Sequence, residues 1–205
     1  MDREVKTKIL VINSETPESH KIGEAADILK NGGLVAFPTE TVYGLAALHD
    51  NDAAINKLYE VKNRPMDKPF TVHISREEMI DMFDCEVSVL ARKLMKRFWP
   101  GPLTIILKKK NGEGTLGFRM PDNKIAFGLI KKAGVPVVAP SANISGNKPP
   151  TSAAEVLRDL DGKVEIVIDG GKTAIGIEST VVDMTGRRPK VLREGAIPKA
   201  EIERI

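Results

Sequence analysis

Gly32-Gly33-Leu34-Val35-Ala36-Phe37-Pro38-Thr39-Glu40-Thr41-Val42-Tyr43-Gly44-Leu45 reads as a short buried strand, Leu34 to Phe37, cut off by a proline. Pro38 has no N–H to give a sheet ladder, so the strand stops there. Thr39, Glu40, Thr41 and Tyr43 then fall in a turn closed by Gly44. Polar groups released at a strand end sit where open α/β sheets bind ligands. Taken alone, the pattern leaves two readings open: an ordinary strand exit with solvated hydroxyls, and a ligand site.

Working outward, Val5 to Ile12 reads as a first strand and Thr16-Pro17 as a helix start, with Thr16 as the cap and Pro17 in the first turn. Ile22, Ala25, Ala26, Ile28 and Leu29 form that helix's apolar stripe, which ends at Gly32 and Gly33. On the other side, Ala54, Ile55, Leu58 and Val61 place a helix over Asp52 to Lys62, capped near Asn51 and ended by Pro65. Phe70 to Ile74 reads as a strand, and Ser75-Arg76-Glu77-Glu78 as a capping box that opens a helix. Glu86 to Phe98 is helical up to Trp99-Pro100-Gly101-Pro102, and Leu103 to Leu107 and Thr115 to Met120 are strands. Lys124 to Lys132 is a helix stopped by Gly134, and Val135 to Ala139 a buried strand. Ser152-Ala153-Ala154-Glu155 is a second capping box, followed by strands at Val164 to Ile168, Ser179 to Asp183 and Lys190 to Leu192. No repeat, low-complexity tract or linker interrupts the chain, so residues 1–205 read as a single α/β domain.

Composition narrows the class. With 205 residues, 41% apolar and 29% charged, the chain can bury one sizeable core and fits neither a disordered nor a fibrous class. No apolar run approaches a membrane span, and Met-Asp-Arg-Glu-Val-Lys lacks a signal-peptide pattern, so a cytoplasmic protein with no membrane partner is expected. Cys85 has no second cysteine to pair with and reads as an inert thiol. His20, His49 and His73 stand in no metal-ligand spacing, so no structural metal is expected. The net charge is only +3, but Arg92, Lys93, Lys96 and Arg97 cluster, as do Lys108, Lys109 and Lys110. Such clusters fit a solvated helix face and strand end, or contact with RNA or phosphate.

Some motif matches mislead. Gly112-Glu113-Gly114-Thr115-Leu116-Gly117 fits the dinucleotide pattern, but it leads into a strand where that motif needs a helix. Gly170-Gly171-Lys172-Thr173 ends like a P-loop, yet Ile166 occupies the place of the first glycine. Asn143-Ile144-Ser145 is formally a glycosylation acceptor, without the secretory context it requires.

Other segments share the character of the first: a strand, a proline or glycine break, then hydrogen-bonding side chains. Lys62-Asn63-Arg64-Pro65 puts two cations on one short stretch, with Lys68 and His73 downstream, a pairing suited to phosphate oxygens. Arg119 ends a strand beside Met120-Pro121; Ser141, Asn143 and Ser145 follow Ala139-Pro140; Ser179 and Thr180 open a strand; Arg193 follows the last one. Each alone is ordinary turn chemistry, but their recurrence points to a shared polyanionic ligand. No Gly-x-Ser-x-Gly elbow or spaced hydrolytic triad is present. Positioning and charge stabilisation, as in nucleotidyl transfer with a substrate-borne metal, fit better.

Phe37-Pro38-Thr39-Glu40-Thr41-Val42-Tyr43-Gly44-Leu45, Lys62-Asn63-Arg64-Pro65, Trp99-Pro100-Gly101-Pro102-Leu103-Thr104, Arg119-Met120-Pro121, Ala139-Pro140-Ser141-Ala142-Asn143 and Glu178-Ser179-Thr180-Val181 together resemble the YrdC-like threonylcarbamoyl-AMP synthases. The resemblance runs in order from about Ile22 to Gly195. It implies a single-domain, open, twisted mixed sheet flanked by helices, with a concave basic face holding the site. It also implies synthesis of L-threonylcarbamoyladenylate and pyrophosphate from L-threonine, bicarbonate and ATP, with Mg²⁺ carried in on the ATP. A separate threonylcarbamoyl transferase would then consume the product to modify adenosine in tRNA.

By the same motifs, Thr39, His73, Arg119, Ser141 and Ser179 are expected at the threonine end, with Arg119 facing the carboxylate. Lys62, Arg64, Thr115, Asn143, Thr151 and Arg193 are expected on the ATP, with Lys62 and Arg64 facing solvent and substrate. Glu40 and Thr41 are expected to hold the turn that presents Thr39. The connection from Lys110 to Thr115 is shorter than the family pattern, which weakens Thr115, and the chain resembles the catalytic domain alone. An alternative is a module that binds tRNA or double-stranded RNA on its basic surface, although 4% aromatic residues leave little stacking area. A third reading, a carbamoyl-phosphate-handling domain like those of hydrogenase-maturation proteins, shares the fold but normally accompanies zinc-finger and transferase domains.

Overall fold

The structure, a computed structural model, describes residues 5–205. Its strands are β1 (Lys8–Val11), β2 (Val35–Phe37), β3 (Gly44–Leu48), β4 (Val72–His73), β5 (Leu103–Lys108), β6 (Thr115–Arg119), β7 (Val137–Val138), β8 (Ile166–Asp169), β9 (Thr180–Asp183) and β10 (Lys190–Arg193). The helices are α1 (Ser19–Lys30), α2 (Asp52–Val61), α3 (Val89–Phe98), α4 (Lys124–Ala133), α5 (Ala153–Leu160) and α6 (Lys199–Ile202), with a 3₁₀ segment at Glu77–Phe83. One ten-stranded mixed sheet runs in the order β1-β8-β2-β3-β7-β4-β6-β5-β9-β10, as the resemblance implied.

Caps set most helix boundaries. The side chains of Asn51, Ser88, Asn123 and Ser152 accept backbone N–H groups at the starts of α2, α3, α4 and α5, filling donors that a helix leaves unpaired. Gly134, at φ 85°, closes α4 in the left-handed conformation. Helix α1 buries Ile22, Ala25, Ala26 and Leu29 and packs on α4. The approach is close: a Cβ on Gly128 would lie 2.9 Å from Ile22 Cδ1. Leu34, Phe37, Tyr43, Leu45 and Phe118 are fully buried in one continuous core.

Several expected boundaries shift. The segment after Tyr43 is not only the close of a turn: Gly44–Leu48 is a fully buried strand, antiparallel to both β2 and β7. Thr16 does not cap α1. Asn13 Oδ1 takes the N–H groups of Glu15 and Thr16 in a local turn, and the helix opens at Ser19 after Glu18. The Ser75 capping box does not form either: Ser75 Oγ turns to Met79 Sδ and the segment is a 3₁₀ turn begun after Arg76. In the second box, Ser152 Oγ accepts from Glu155 N–H as expected, but the Glu155 carboxylate reaches the N–H and hydroxyl of Thr151. The Gly112–Gly114 segment is the hairpin turn between β5 and β6, both glycines at positive φ.

Candidate active site

The strand order brings distant segments to one place. β4 and β6 are parallel neighbours with His73 opposite Arg119, so the two side chains share a sheet face. Both strands end at the site, as does β2, whose exit is the Pro38 turn. β7 leads to Ser141, which bridges to Gly44, and Ser179 precedes β9, which pairs in parallel with β5.

The cavity formed there is lined by Thr39, His73, Thr104, Arg119, Ser141, Ser179, Arg64 and Arg193, together with Tyr43, Phe70 and Glu178. All five residues expected at the threonine end are in this wall. A second cavity adjoins it, lined by Lys62, Arg64, Asn143, Ser145 and Asn147 among others. Arg64, Ser141 and Glu178 belong to both. Of the residues expected on ATP, Lys62, Arg64, Asn143 and Arg193 therefore lie in the two cavities. Thr115 and Thr151 line neither. Thr115 is exposed at the far end of β6, opposite Lys108, about 13 Å from Arg119 at the rise of an extended strand. Thr151 is tied to Glu155.

Arg119 is buried. Its Nη2 lies 2.7 Å from Glu40 Oε1 and donates to Thr41 Oγ1 at 2.8 Å, while Nε donates to Gly101 O at 3.4 Å. The contact with Glu40 is an ion pair rather than a well-aligned hydrogen bond, since neither carboxylate oxygen has a hydrogen-bond partner among the described residues. The Thr39 hydroxyl donates to Val42 O at 2.6 Å, accepts Thr41 N–H and lies 2.9 Å from Thr41 Oγ1, so its hydrogen is engaged within the turn. Ser179 Oγ lies 2.8 Å from Thr104 Oγ1 and receives Arg193 Nη2.

Next to Ser179, the buried Thr180 hydroxyl accepts from Gly195 N–H and Ile197 N–H and donates to Ile197 O. Gly195 is there because a Cβ would lie 2.3 Å from Glu178 O.

His73 is buried between Phe37 and Arg119, and its Nδ1 has no hydrogen-bond partner among the described residues. Burial, reinforced by the Arg119 charge, lowers its pKa from 6.5 to about 3, so the imidazole is neutral and available as an acceptor. The folded value lies below the unfolded one, so this group's contribution to stability is complete above pH 6.5 and is lost as pH falls toward about 3. Thermal midpoints measured against pH are expected to show a shallower acid limb for His73→Gln than for the unaltered chain; equal slopes would contradict this.

Lys62 departs from expectation. It does not face solvent: it is 2% exposed, and its Nζ donates to Ser141 O and, at 2.5 Å, to Asn143 O. Burial, then the nearby Arg64 charge, lowers its pKa to about 8. Lys62 thus holds the 141–143 turn in shape. Arg64 donates to Lys68 O and Pro69 O and lies over the Phe70 ring at 5.3 Å, with no carboxylate partner in these contacts. Arg193, in contrast, is paired with Glu178 at 2.7 Å.

Thr104, Glu178 and the pairing of Glu40 with Arg119 were not assigned from sequence. Thr104 carried a usable signal, a hydroxyl between Leu103 and Ile105 in an otherwise apolar strand. The basic residues Arg92, Lys93, Lys96 and Arg97 lie on the exposed face of α3 and line neither cavity.

Fold and site define an open mixed-sheet α/β protein with a polar, cation-lined ligand cavity at its strand ends. A family model for Sua5, YciO and YrdC, described as "Telomere recombination", matches residues 27–195, and the chain belongs to that family. It is 46% identical over 205 residues to a threonylcarbamoyl-AMP synthase of Pyrococcus abyssi, covering 96% of this chain and 60% of that protein. With a threonylcarbamoyl-AMP synthase of Bacillus subtilis it shares 45% identity over 194 residues, 90% of this chain and 56% of the relative. The crystal structure of P. abyssi Sua5 complexed with L-threonine matches with a TM-score of 0.92 at 45% identity, over 96% of this chain and 60% of that one. The chain thus spans about three fifths of the length of these relatives. No helix of the described residues is long and apolar enough to cross a membrane.

Proposed function

We propose that the chain is an L-threonylcarbamoyladenylate synthase, a nucleotidyltransferase that turns L-threonine, bicarbonate and MgATP into threonylcarbamoyl-AMP, pyrophosphate and water. One observation carries the reading: Thr39, His73, Arg119, Ser141 and Ser179, drawn from separate segments, line a single cavity that adjoins a second one bearing Lys62, Arg64 and Asn143. A relative of the same fold is described with L-threonine bound.

In this reading Arg119 meets the threonine carboxylate and neutral His73 accepts a hydrogen bond from the amino acid. Bicarbonate takes up a proton and gives CO₂ and water; the amine adds to the CO₂ and loses a proton, giving a carbamate. A carbamate oxygen then attacks the α-phosphorus of ATP, the bond to the β-phosphate oxygen breaks, and pyrophosphate leaves. Arg64, which makes no ion pair among the described residues, stabilises the negative charge that builds as it departs. The product would pass to a threonylcarbamoyl transferase acting on tRNA adenosine.

The test is pyrophosphate release by the purified chain with MgATP and bicarbonate. Release is expected only when L-threonine is added, with threonylcarbamoyl-AMP seen by mass spectrometry. Release independent of threonine, or none, would refute the assignment.

A further inference from the structure

We propose that Glu40 is a positioning residue for the threonine carboxylate, acting through Arg119; this rests on the synthase reading above. Glu40 does not line the threonine cavity. It stands behind the 39–41 turn, in the wall of a separate cavity shared with Asn123, Lys124, Gly170 and Thr173, and its side chain is only 9% exposed.

From that side it works on the guanidinium. Oε1 sits 2.7 Å from Nη2, Thr41 Oγ1 takes a hydrogen bond from the same nitrogen, and Gly101 O takes one from Nε. Nη1 is the nitrogen these contacts leave over. A planar guanidinium fixed through Nε and Nη2 cannot rotate away, so Nη1 is the donor left for a ligand in the cavity that Arg119 lines. The holding turn is itself fixed, because Ile175 N–H donates to Glu40 O at 2.8 Å and Gly176 N–H to Thr41 O at 3.0 Å.

A purely stabilising role explains less. Burying two charges costs desolvation that the pair's attraction only roughly repays, so such a pair does little for stability that apolar residues would not do as well. It does fix an orientation. It also offsets the Arg119 charge, so of the arginines in the cavity wall only Arg64 lacks a carboxylate partner among the described residues.

The test compares Glu40→Gln, which keeps the shape and removes the charge, with Glu40→Asp and Thr41→Val. Steady-state pyrophosphate release should show the KM for threonine raised about tenfold in Glu40→Gln while the KM for ATP stays within about twofold. Thr41→Val should move the threonine KM in the same direction, and Glu40→Asp, which retains the charge, should lie between Glu40→Gln and the unaltered chain. An unchanged threonine KM in Glu40→Gln, or threonine and ATP constants that rise together as general loosening would make them, overturns the inference alone. An unaltered chain with no threonine-dependent release overturns the synthase reading and this inference with it.

Discussion

Arg119→Ala is expected to lower kcat/KM for threonine by about a thousandfold, or about 4 kcal/mol, and to weaken the fold at the same time. Both effects have one cause. The substitution removes the proposed anchor for the threonine carboxylate and strands the Glu40 carboxylate, 9% exposed, without its partner. Breaking a buried pair from one side costs about 3–5 kcal/mol. The double variant Arg119→Ala/Glu40→Gln removes the stranded charge, so it should recover most of the lost stability in a denaturant titration yet stay as slow as the single variant. Recovery of activity along with stability would show that Arg119 serves the fold and not the substrate.

Lys62→Ala carries the second large effect. Because Lys62 is buried and bonded to the carbonyls of Ser141 and Asn143, its loss leaves the Asn143 carbonyl without a donor among the described residues, at about 1–3 kcal/mol, and the Ser141 carbonyl with only the Asn143 N–H. The turn that presents Ser141 and Asn143 would relax, and displacement of that order slows a reaction about a hundredfold. A solvent-facing lysine that only touched phosphate would give the second effect without the first, so unaltered denaturation would contradict this account.

The pH dependence separates charge from shape. Folded Lys62 has its pKa lowered from 10.5 to about 8, so the unfolded chain binds more protons between these values and stability should rise across that interval. A neutral amine keeps two N–H donors, enough for both carbonyls. Turnover should fall as pH rises through about 8, where the folded chain loses the ammonium charge.

These two residues show what was legible in the sequence. The polar residues that follow strand ends were readable, since a proline or glycine break after an apolar run says where a strand releases its side chains. Thr39, Arg119, Ser141 and Ser179 of the first cavity could therefore be picked out as groups at strand breaks, while their expected role toward threonine came from the family resemblance. What each polar group is bonded to was not readable: Glu40 meets Arg119, and Lys62 meets Ser141 and Asn143, only because β2, β4, β6 and β7 are brought together in an order unlike their order in the chain. The strand β3 escaped for a local reason. Gly44-Leu45-Ala46-Ala47-Leu48 has no β-branched residue and no alternation, because a central strand is covered on both faces. Thr16 misled because Asn13, three residues earlier, captured the N–H groups first.

The Thr180 hydroxyl, with its three bonds to Gly195 and Ile197, works as a rivet between the turn that precedes α6 and the residue that follows Ser179. Mechanical load applied near α6 is thus delivered to the rim of the cavity that Ser179 lines. Strand β1 lies on the opposite sheet margin, paired with β8, and has no such link among the described residues. An immobilised or fused form is accordingly best tethered on the β1 side, where strain on the anchor is farthest from the cavity.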